Sequence, residues 1–369
     1  MDYSQERVAT LHDFGGADPD TPLGEATVVV PMTEREHAAL AAEGVLAGVA
    51  AADPGRVVVP LRADAGRAPE VADWLAGFEA PVEVLWCSGE RVADLLAEAG
   101  LAASGKGRDV WLGIGAALAG DGEYVLLHDA DTTTFAPRDL RRLCYPLAGC
   151  DFEFSKAYYA RVENGRLYGR LCRLFYEPLV AALDPAPVVE YLGAFRYALA
   201  GECGLTRELA RSVRVEPGWG LEAGLLAEAF GAAGAAGTAQ VDLGRYEHDH
   251  RAVSGPGGLS TMSEGVAAAL FRGLADHGVD PDFGALREAY RETANRFVDA
   301  YRADAGFNGL AYDPAAEREQ VDAYADSVRQ PEGDPRLPAW GETDMEPAAV
   351  REAAWEDLAD AHDENSNPN

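Results

Sequence analysis

The sequence predicts an α/β fold, a mostly parallel sheet flanked by helices, with a helical C-terminal extension. Three observations carry that prediction. Short apolar runs alternate with helical patterns of about 10–15 residues, the rhythm of strand–helix–strand units. One run, Tyr124-Val125-Leu126-Leu127-His128, ends abruptly on Asp129-Ala130-Asp131, as a buried strand does where it leaves the sheet. From Gly265 to Ala305 the strand signal disappears and only helical periodicity remains.

Taken in order, residues 1–25 read as a loose leader. Ala26 to Val30 is the first strand, stopped by Pro31, with a helix from about 34 to 50. Arg56–Val59 and Val82–Trp86 are the next strands, with helices over 69–78 and 90–99. Gly105-Lys106-Gly107 opens a helix to about 119, and the Asp-Ala-Asp strand follows. Pro137 opens a helix ending near Pro146, and Asp151 to Val162 alternates as an aromatic strand turning at Asn164-Gly165. Leu167–Leu183 reads as helix, Ala194–Leu199 as strand, Thr206–Val213 as helix. A helix after Gly218-Trp219-Gly220 and a strand over Gln240–Tyr246 complete a catalytic domain of residues 26–255. A helical extension spans 256–330. Residues 331–369 hold eleven acids, two arginines and scattered prolines, and read as a mobile tail.

The 369 residues include 62 acids and 31 bases, a formal net charge of -31. Such a surface repels nucleic acid and anionic membranes. It suits a salt-loaded cytoplasm of the haloarchaeal kind, where charges are screened within a few ångströms. A GC-rich genome alone accounts for arginine over lysine but not for the acid excess. No apolar stretch approaches the ~20 residues of a membrane span, and Met1-Asp2-Tyr3-Ser4-Gln5-Glu6 lacks a signal pattern. Five cysteines with no C-x-x-C pair fit a reducing cytoplasm.

Open α/β sheets bind ligands at the carboxyl edge, where Asp129 and Asp131 fall. Two carboxylates one residue apart can hold a divalent cation, and the cation can clamp a diphosphate. In this strand context Asp-x-Asp marks a nucleotide-sugar transferase; two acids capping the helix at Pro137 are the plain structural alternative. His248 and His250 follow the last strand and can complete a metal site begun by a carboxylate. Lys106 and Lys156 are the chain's two lysines against 29 arginines. Lys106, between glycines at a helix start, suits a phosphate; Lys156 has the weaker case, since it can pair with an acid on its strand. Glu222, in a first helical turn behind glycines, is either a dipole-favoured acid or an acceptor for sugar hydroxyls.

These residues, in this order, resemble retaining glycosyltransferases of the GT-A fold, specifically the glucosyl-3-phosphoglycerate and mannosyl-3-phosphoglycerate synthases. The resemblance covers about residues 26–255. It is carried by Val28-Val29-Val30-Pro31, Gly105-Lys106-Gly107, Asp129-Ala130-Asp131, Gly169-Arg170 through Leu183, Gly201-Glu202 with Thr206-Arg207-Glu208-Leu209, Gly218–Glu222 and His248. It implies a Rossmann-like sheet and transfer of glucose or mannose to 3-phosphoglycerate or a similar small anion. The donor would be of UDP-glucose or GDP-mannose type. Asp131 and His248 would bind Mg²⁺ or Mn²⁺. Pro31, Glu34, Lys106, Asp129, Ala130 and Glu222 would serve the donor, with Glu222 and Asp131 central to catalysis. Arg170, Cys172 and His250 would face the acceptor, and the protein would be a homodimer.

Three positions depart from the family pattern. Cys172 replaces a threonine, His250 an asparagine, and Pro60-Leu61-Arg62-Ala63-Asp64 stands where Asp-Ser-Gly usually meets the base. A lipid phosphate or sugar acceptor is the alternative within the same chemistry. A sugar-1-phosphate nucleotidyltransferase needs a glycine- and arginine-rich loop after the first strand, and Met32-Thr33-Glu34-Arg35-Glu36 is not one. A non-catalytic protein on the same fold is the third class.

Overall fold

The computed structural model describes residues 5–80, 82–101, 103–249 and 258–366. The strands are β1 (Ala9–Leu11), β2 (Ala26–Val29), β3 (Met32–Thr33), β4 (Arg56–Arg62), β5 (Val82–Trp86), β6 (Tyr124–Leu127), β7 (Phe154–Ala160), β8 (Val162–Glu163), β9 (Arg166–Leu167), β10 (Cys203–Thr206) and β11 (Thr238–Arg245). The helices are α1 (Leu40–Ala52), α2 (Ala68–Leu75), α3 (Glu90–Glu98), α4 (Lys106–Leu118), α5 (Pro137–Cys150), α6 (Glu177–Ala182), α7 (Pro187–Leu192), α8 (Arg207–Ser212), α9 (Leu221–Ala232), α10 (Gly258–Asp276), α11 (Phe283–Phe307), α12 (Pro314–Ala325) and α13 (Pro347–Ser366). A π-helical turn, Leu171–Tyr176, leads into α6.

Among the described residues one sheet runs in the order β1-β11-β7-β10-β6-β2-β4, with β5 on the outer edge of β4. Pro31 supplies no amide, so β2 breaks there and the chain resumes beside β4 as β3, Met32 opposite Leu61. Within this sheet all pairings are parallel except those of β10, which runs antiparallel between β6 and β7. Valines fill β2 and β4 because both faces of a parallel sheet are covered. One core cluster lies under α4, α9, α10 and α11, around Trp111, Phe175 and Tyr290; the other lies under α1, α2 and α5, around Leu46, Leu61 and Leu143.

The mostly parallel α/β fold is as expected, and the details differ in four places. The leader is not loose: Ala9 pairs with Ala239, Val8 and Thr10 are buried, and Gln240 donates to Thr10 Oγ1 at 2.9 Å. The strand expected over Ala194–Leu199 is a series of turns, and the strand lies at Cys203–Thr206 instead. The helix expected over 265–305 is two helices, because Gly278 at φ +76° breaks the first and Asp282 caps the second.

The fourth difference is the tail, which is packed rather than mobile. Trp340 stacks on Trp111 with ring centroids 4.1 Å apart, and each indole N–H donates to the other segment's backbone. Gly115 leaves room for that ring; a Cβ there would fall 2.1 Å from Trp340. Asp357 on α13 accepts from the backbone amides of Arg91 and Val92 and so caps α3 from outside. Acids that read as solvated are therefore committed to caps and ion pairs.

Candidate active site

The site forms where β6 leaves the sheet. After Leu127 the chain carries Asp129 and Asp131 past the edge, and the segment beyond β11 folds back across it. Thr132 bridges His248, Thr133 N–H donates to Glu247 O at 2.8 Å, and Asp249 N–H donates to Asp131 O at 2.6 Å. Those backbone bonds bring together residues more than a hundred positions apart. Asp129, Asp131 and His248 each offer a ligand atom within 4.8 Å of the others.

Asp131 Oδ1 and His248 Nδ1 are buried without a hydrogen-bond partner among the described residues. Buried polar atoms are seldom left so, and two oxygen donors beside one imidazole nitrogen are a set suited to a hard or borderline divalent cation. Burial and the neighbouring Asp129 charge raise the Asp131 carboxyl to about 7. Burial, then the Arg161 charge, lower His248 to about 4, so the imidazole is neutral and free to ligate at neutral pH. The residues present fit the cation.

Lys106 joins this cluster through glycine geometry. Gly105 has φ +129°, and a Cβ on Gly107 would lie 1.8 Å from Glu216 O. Only glycine lets the start of α4 lie this close to the Glu216–Gly218 loop that precedes α9. The Lys106 ammonium thereby reaches Asp129 Oδ1 at 2.7 Å and Glu222 Oε1 at 3.4 Å. Against the cost of burial, these acids raise Lys106 well above its usual value. Burial opposes ionisation of Asp129, yet Lys106 holds its carboxyl below the usual range. Gly201 clears space on the other side; a Cβ there would meet the Asp129 carboxylate at 2.4 Å.

The remaining expected residues divide. Pro31 ends β2, and Glu34 Oε2 accepts from the Asp64 amide at 3.0 Å, tying the first loop to the end of β4. Ala130 is buried, its methyl in the core. Lys156 is 1% exposed in β7; among the described residues it pairs with no acid and donates to the Ala200 carbonyl, beside Gly201. Arg170 is half-exposed, and its Nε donates to Glu317 Oε1 at 3.0 Å, an acid on α12 rather than the Glu177 or Glu153 nearer in sequence. Cys172 does not line an open surface: it is 2% exposed and its thiol is directed at Glu177 Oε1, 3.7 Å away. A cysteine has replaced threonine where the side chain faces inward. His250 lies outside the described residues.

Sequence reasoning gave no role to Glu202 or Tyr246. Glu202 is fully buried; Tyr246 donates to its Oε1 at 2.6 Å, and Oε2 has no partner. The Tyr246 ring packs edge-on to His248 at 5.0 Å and flat on Tyr159 at 4.1 Å. An aromatic so close to a candidate ligand fixes the imidazole plane. Gly201-Glu202 was visible as a motif, but its contact with Tyr246 is a matter of tertiary structure.

A mostly parallel sheet with paired acids at its carboxyl edge suits a nucleotide-binding α/β enzyme. No protein-family model matches the chain, but individual relatives do. It is 36% identical over 312 residues to the glucosyl-3-phosphoglycerate synthase of Persephonella marina, covering 77% of each chain. The synthase of Methanococcoides burtonii is 29% identical over 379 residues, covering 92% of this chain and 93% of that one. The Mycobacterium tuberculosis glucosyl-3-phosphoglycerate synthase, solved with Mn²⁺, UDP-glucose and phosphoglyceric acid, superposes with a TM-score of 0.56 at 27% identity, over 74% of this chain and 89% of that one. The same enzyme solved with Mg²⁺ and UDP gives 0.55 at 27% identity, over 74% and 88%. The chain belongs to the glucosyl-3-phosphoglycerate synthase family.

Proposed function

We propose that this protein transfers glucose from a nucleoside-diphosphate glucose to 3-phosphoglycerate, with Mn²⁺ or Mg²⁺ bound by Asp131 and His248 beside Asp129. The observation that carries the reading is the convergence of Asp129, Asp131, His248, Lys106 and Glu222 at one edge of the sheet. A cation there supplies positive charge opposite the departing diphosphate. The side chains supply the rest. Lys106, kept protonated by its two acids, offers a second positive charge to the donor phosphates. Glu222, shared with Lys106, accepts hydrogen bonds from sugar hydroxyls. Pro31, Glu34 and Ala130 border the nucleotide, and the half-exposed Arg170 takes the acceptor's phosphate or carboxylate.

The reaction retains anomeric configuration, the acceptor attacking from the face the diphosphate leaves, and the leaving phosphate helps remove the acceptor proton. No side-chain base is obligatory. The donor is of UDP-glucose type, with GDP-linked sugars the alternative because Arg62 and Asp64 stand where the base pocket differs.

The acid excess supports a cytoplasm at high salt. No helix among the described residues is long and apolar enough to cross a membrane. A homodimer completes the reading. Val266, Leu270, Leu274 and Val298 are buried within the chain, whereas Phe307 and Trp355 remain 90% and 68% exposed.

The test is incubation of the purified protein with UDP- and GDP-linked glucose and mannose, Mn²⁺ or Mg²⁺, and 3-phosphoglycerate in molar KCl. Formation of α-linked glucosyl-3-phosphoglycerate, read by the anomeric proton coupling, is expected. Absence of hexosyl transfer from every donor, or transfer that survives chelation, overturns it.

A further inference from the structure

Arg170, the proposed acceptor contact, is presented from outside the sheet. Gly169, at φ +73°, turns the chain into the π-helical segment Leu171–Tyr176, and a Cβ on it would meet Tyr197 Oη at 2.4 Å. Arg170 is therefore delivered at a fixed backbone position, but a long side chain at 45% exposure still has rotamers to choose among. Its choice is made by Glu317 on α12. That carboxylate is 4% exposed and uses both oxygens: Oε1 accepts from Arg170 Nε at 3.0 Å, and Oε2 from Arg173 Nη2 at 3.2 Å.

Arg173 alone would neutralise Glu317. It is nearly buried, donates through Nε to Tyr168 O at 2.8 Å, and lies over the Tyr301 ring at 4.7 Å. Bringing a second guanidinium to the same acid leaves one positive charge unmatched, in a chain with twice as many acids as bases. The unmatched charge is on the exposed arginine. Because Nε is the nitrogen engaged, both terminal Nη groups of Arg170 have no partner among the described residues. Those two nitrogens form the fork that grips a phosphate or carboxylate.

We infer that Glu317 is a positioning residue for acceptor binding, holding Arg170 by its Nε so that its two Nη groups meet the anionic acceptor. The inference rests on the reading of Arg170 as an acceptor contact. Preorganisation of this kind lowers the ordering cost of binding, and so acts on acceptor affinity before it acts on turnover.

The experiment is a double-mutant cycle in the full-length protein with UDP-glucose, Mn²⁺ and 3-phosphoglycerate. Glu317→Gln is expected to raise the acceptor KM about five- to tenfold and to move the donor KM less than twofold. In the Arg170→Ala background Glu317→Gln adds less than about twofold, since the arginine it positions is gone. Should Glu317→Gln not fold, Glu317→Asp reads the same contact: the charge and the arginine fork remain, but the shorter side chain cannot reach both Arg173 and Arg170 Nε, and the acceptor KM rises at least about threefold with the donor KM unchanged. A wild-type acceptor KM in the Glu317 variant, equal rises in both KM values, or full additivity overturns the inference. If Arg170→Ala itself leaves the acceptor KM at wild type, the acceptor reading fails first; if that variant responds and Glu317→Gln does not, only the positioning role fails.

Discussion

The two sides of the site are built on opposite charge. At the end of β6, Asp129 and Glu222 pair with a single lysine, Lys106, with Asp131 nearby; at the π-turn, Arg170 and Arg173 share a single glutamate. Both sides are proposed to meet an anion, yet only the second can do so unaided. The acidic side repels a diphosphate until a cation is bound, whereas the arginine side is ready beforehand. On the proposed reading, donor binding is conditional on metal and acceptor binding is not. In a chain of net charge -31, keeping one cationic patch through a doubly shared buried acid is a local exception to the surface around it.

The largest expected effect is on the acidic side. Asp131→Ala removes a ligand from a site that the backbone bonds to residues 247–249 hold in place. Transfer should fall by on the order of 10²–10³ or more, with the circular dichroism spectrum and Tm kept. Donor binding by Asp131→Ala should no longer respond to Mn²⁺. Metal-responsive binding in that variant would move the cation elsewhere and erase the contrast between the sides.

Arg170→Ala tests the other side. A lost charged hydrogen bond costs about 1.5–3 kcal/mol, so kcat/KM for the acceptor should drop roughly tenfold or more. Metal dependence of donor binding should persist. Equal loss of donor and acceptor binding would mean that the two sides are not separable and that Arg170 serves the fold.

The asymmetry extends to what the sequence discloses. Asp129 and Asp131 are legible because their chemistry lies in local spacing after an apolar run, and Lys106 because its flanking glycines mark a close approach. Glu317, Glu202 and Tyr246 are silent, since each acts through a partner distant in the chain. The same division holds for the fold. The valine runs of β2 and β4 announce themselves, whereas β10 is four residues with Gly204 inside it, and its place between β6 and β7 is set by pairing alone. The tail was opaque for a related reason: an acid that caps a helix 266 positions away looks like a solvated one.

That tail packs on the helix behind the proposed donor side. Trp340 lies against α4, the helix that carries Lys106. Trp340→Ala should cost about 3–5 kcal/mol of stability, read as a lower Tm, with the cavity opening beside Gly115. An unchanged Tm would return the segment to the mobile state that its composition suggests. Salt acts on the whole surface and more gently at each site. Screening relieves self-repulsion, so Tm should climb from dilute buffer to molar KCl; a flat curve would remove the halophilic reading.

The smallest effect separates the two sides by pH, away from the metal ligands. Glu177, at the start of α6, is turned inward, and burial raises its carboxyl to about 7 against the partial help of the Cys172 thiol and the Ala198 amide. The folded state thus holds this proton more tightly than the unfolded chain, whose carboxyl titrates near its ordinary value of 4.5. Below that value both states are protonated and the group contributes nothing to the balance. As pH rises from about 4.5 to about 7 the unfolded state alone gains the freedom to ionise, and stability is lost across that window. Glu177→Gln keeps the shape and the acceptor oxygen for the thiol but cannot ionise. It should match the wild type near pH 4.5, gain on it progressively up to pH 7, and hold an advantage of about 2–5 °C in Tm above that. A gap of constant size at every pH would mean that Glu177 titrates alike in the folded and unfolded chain, so that its burial does not hold the proton.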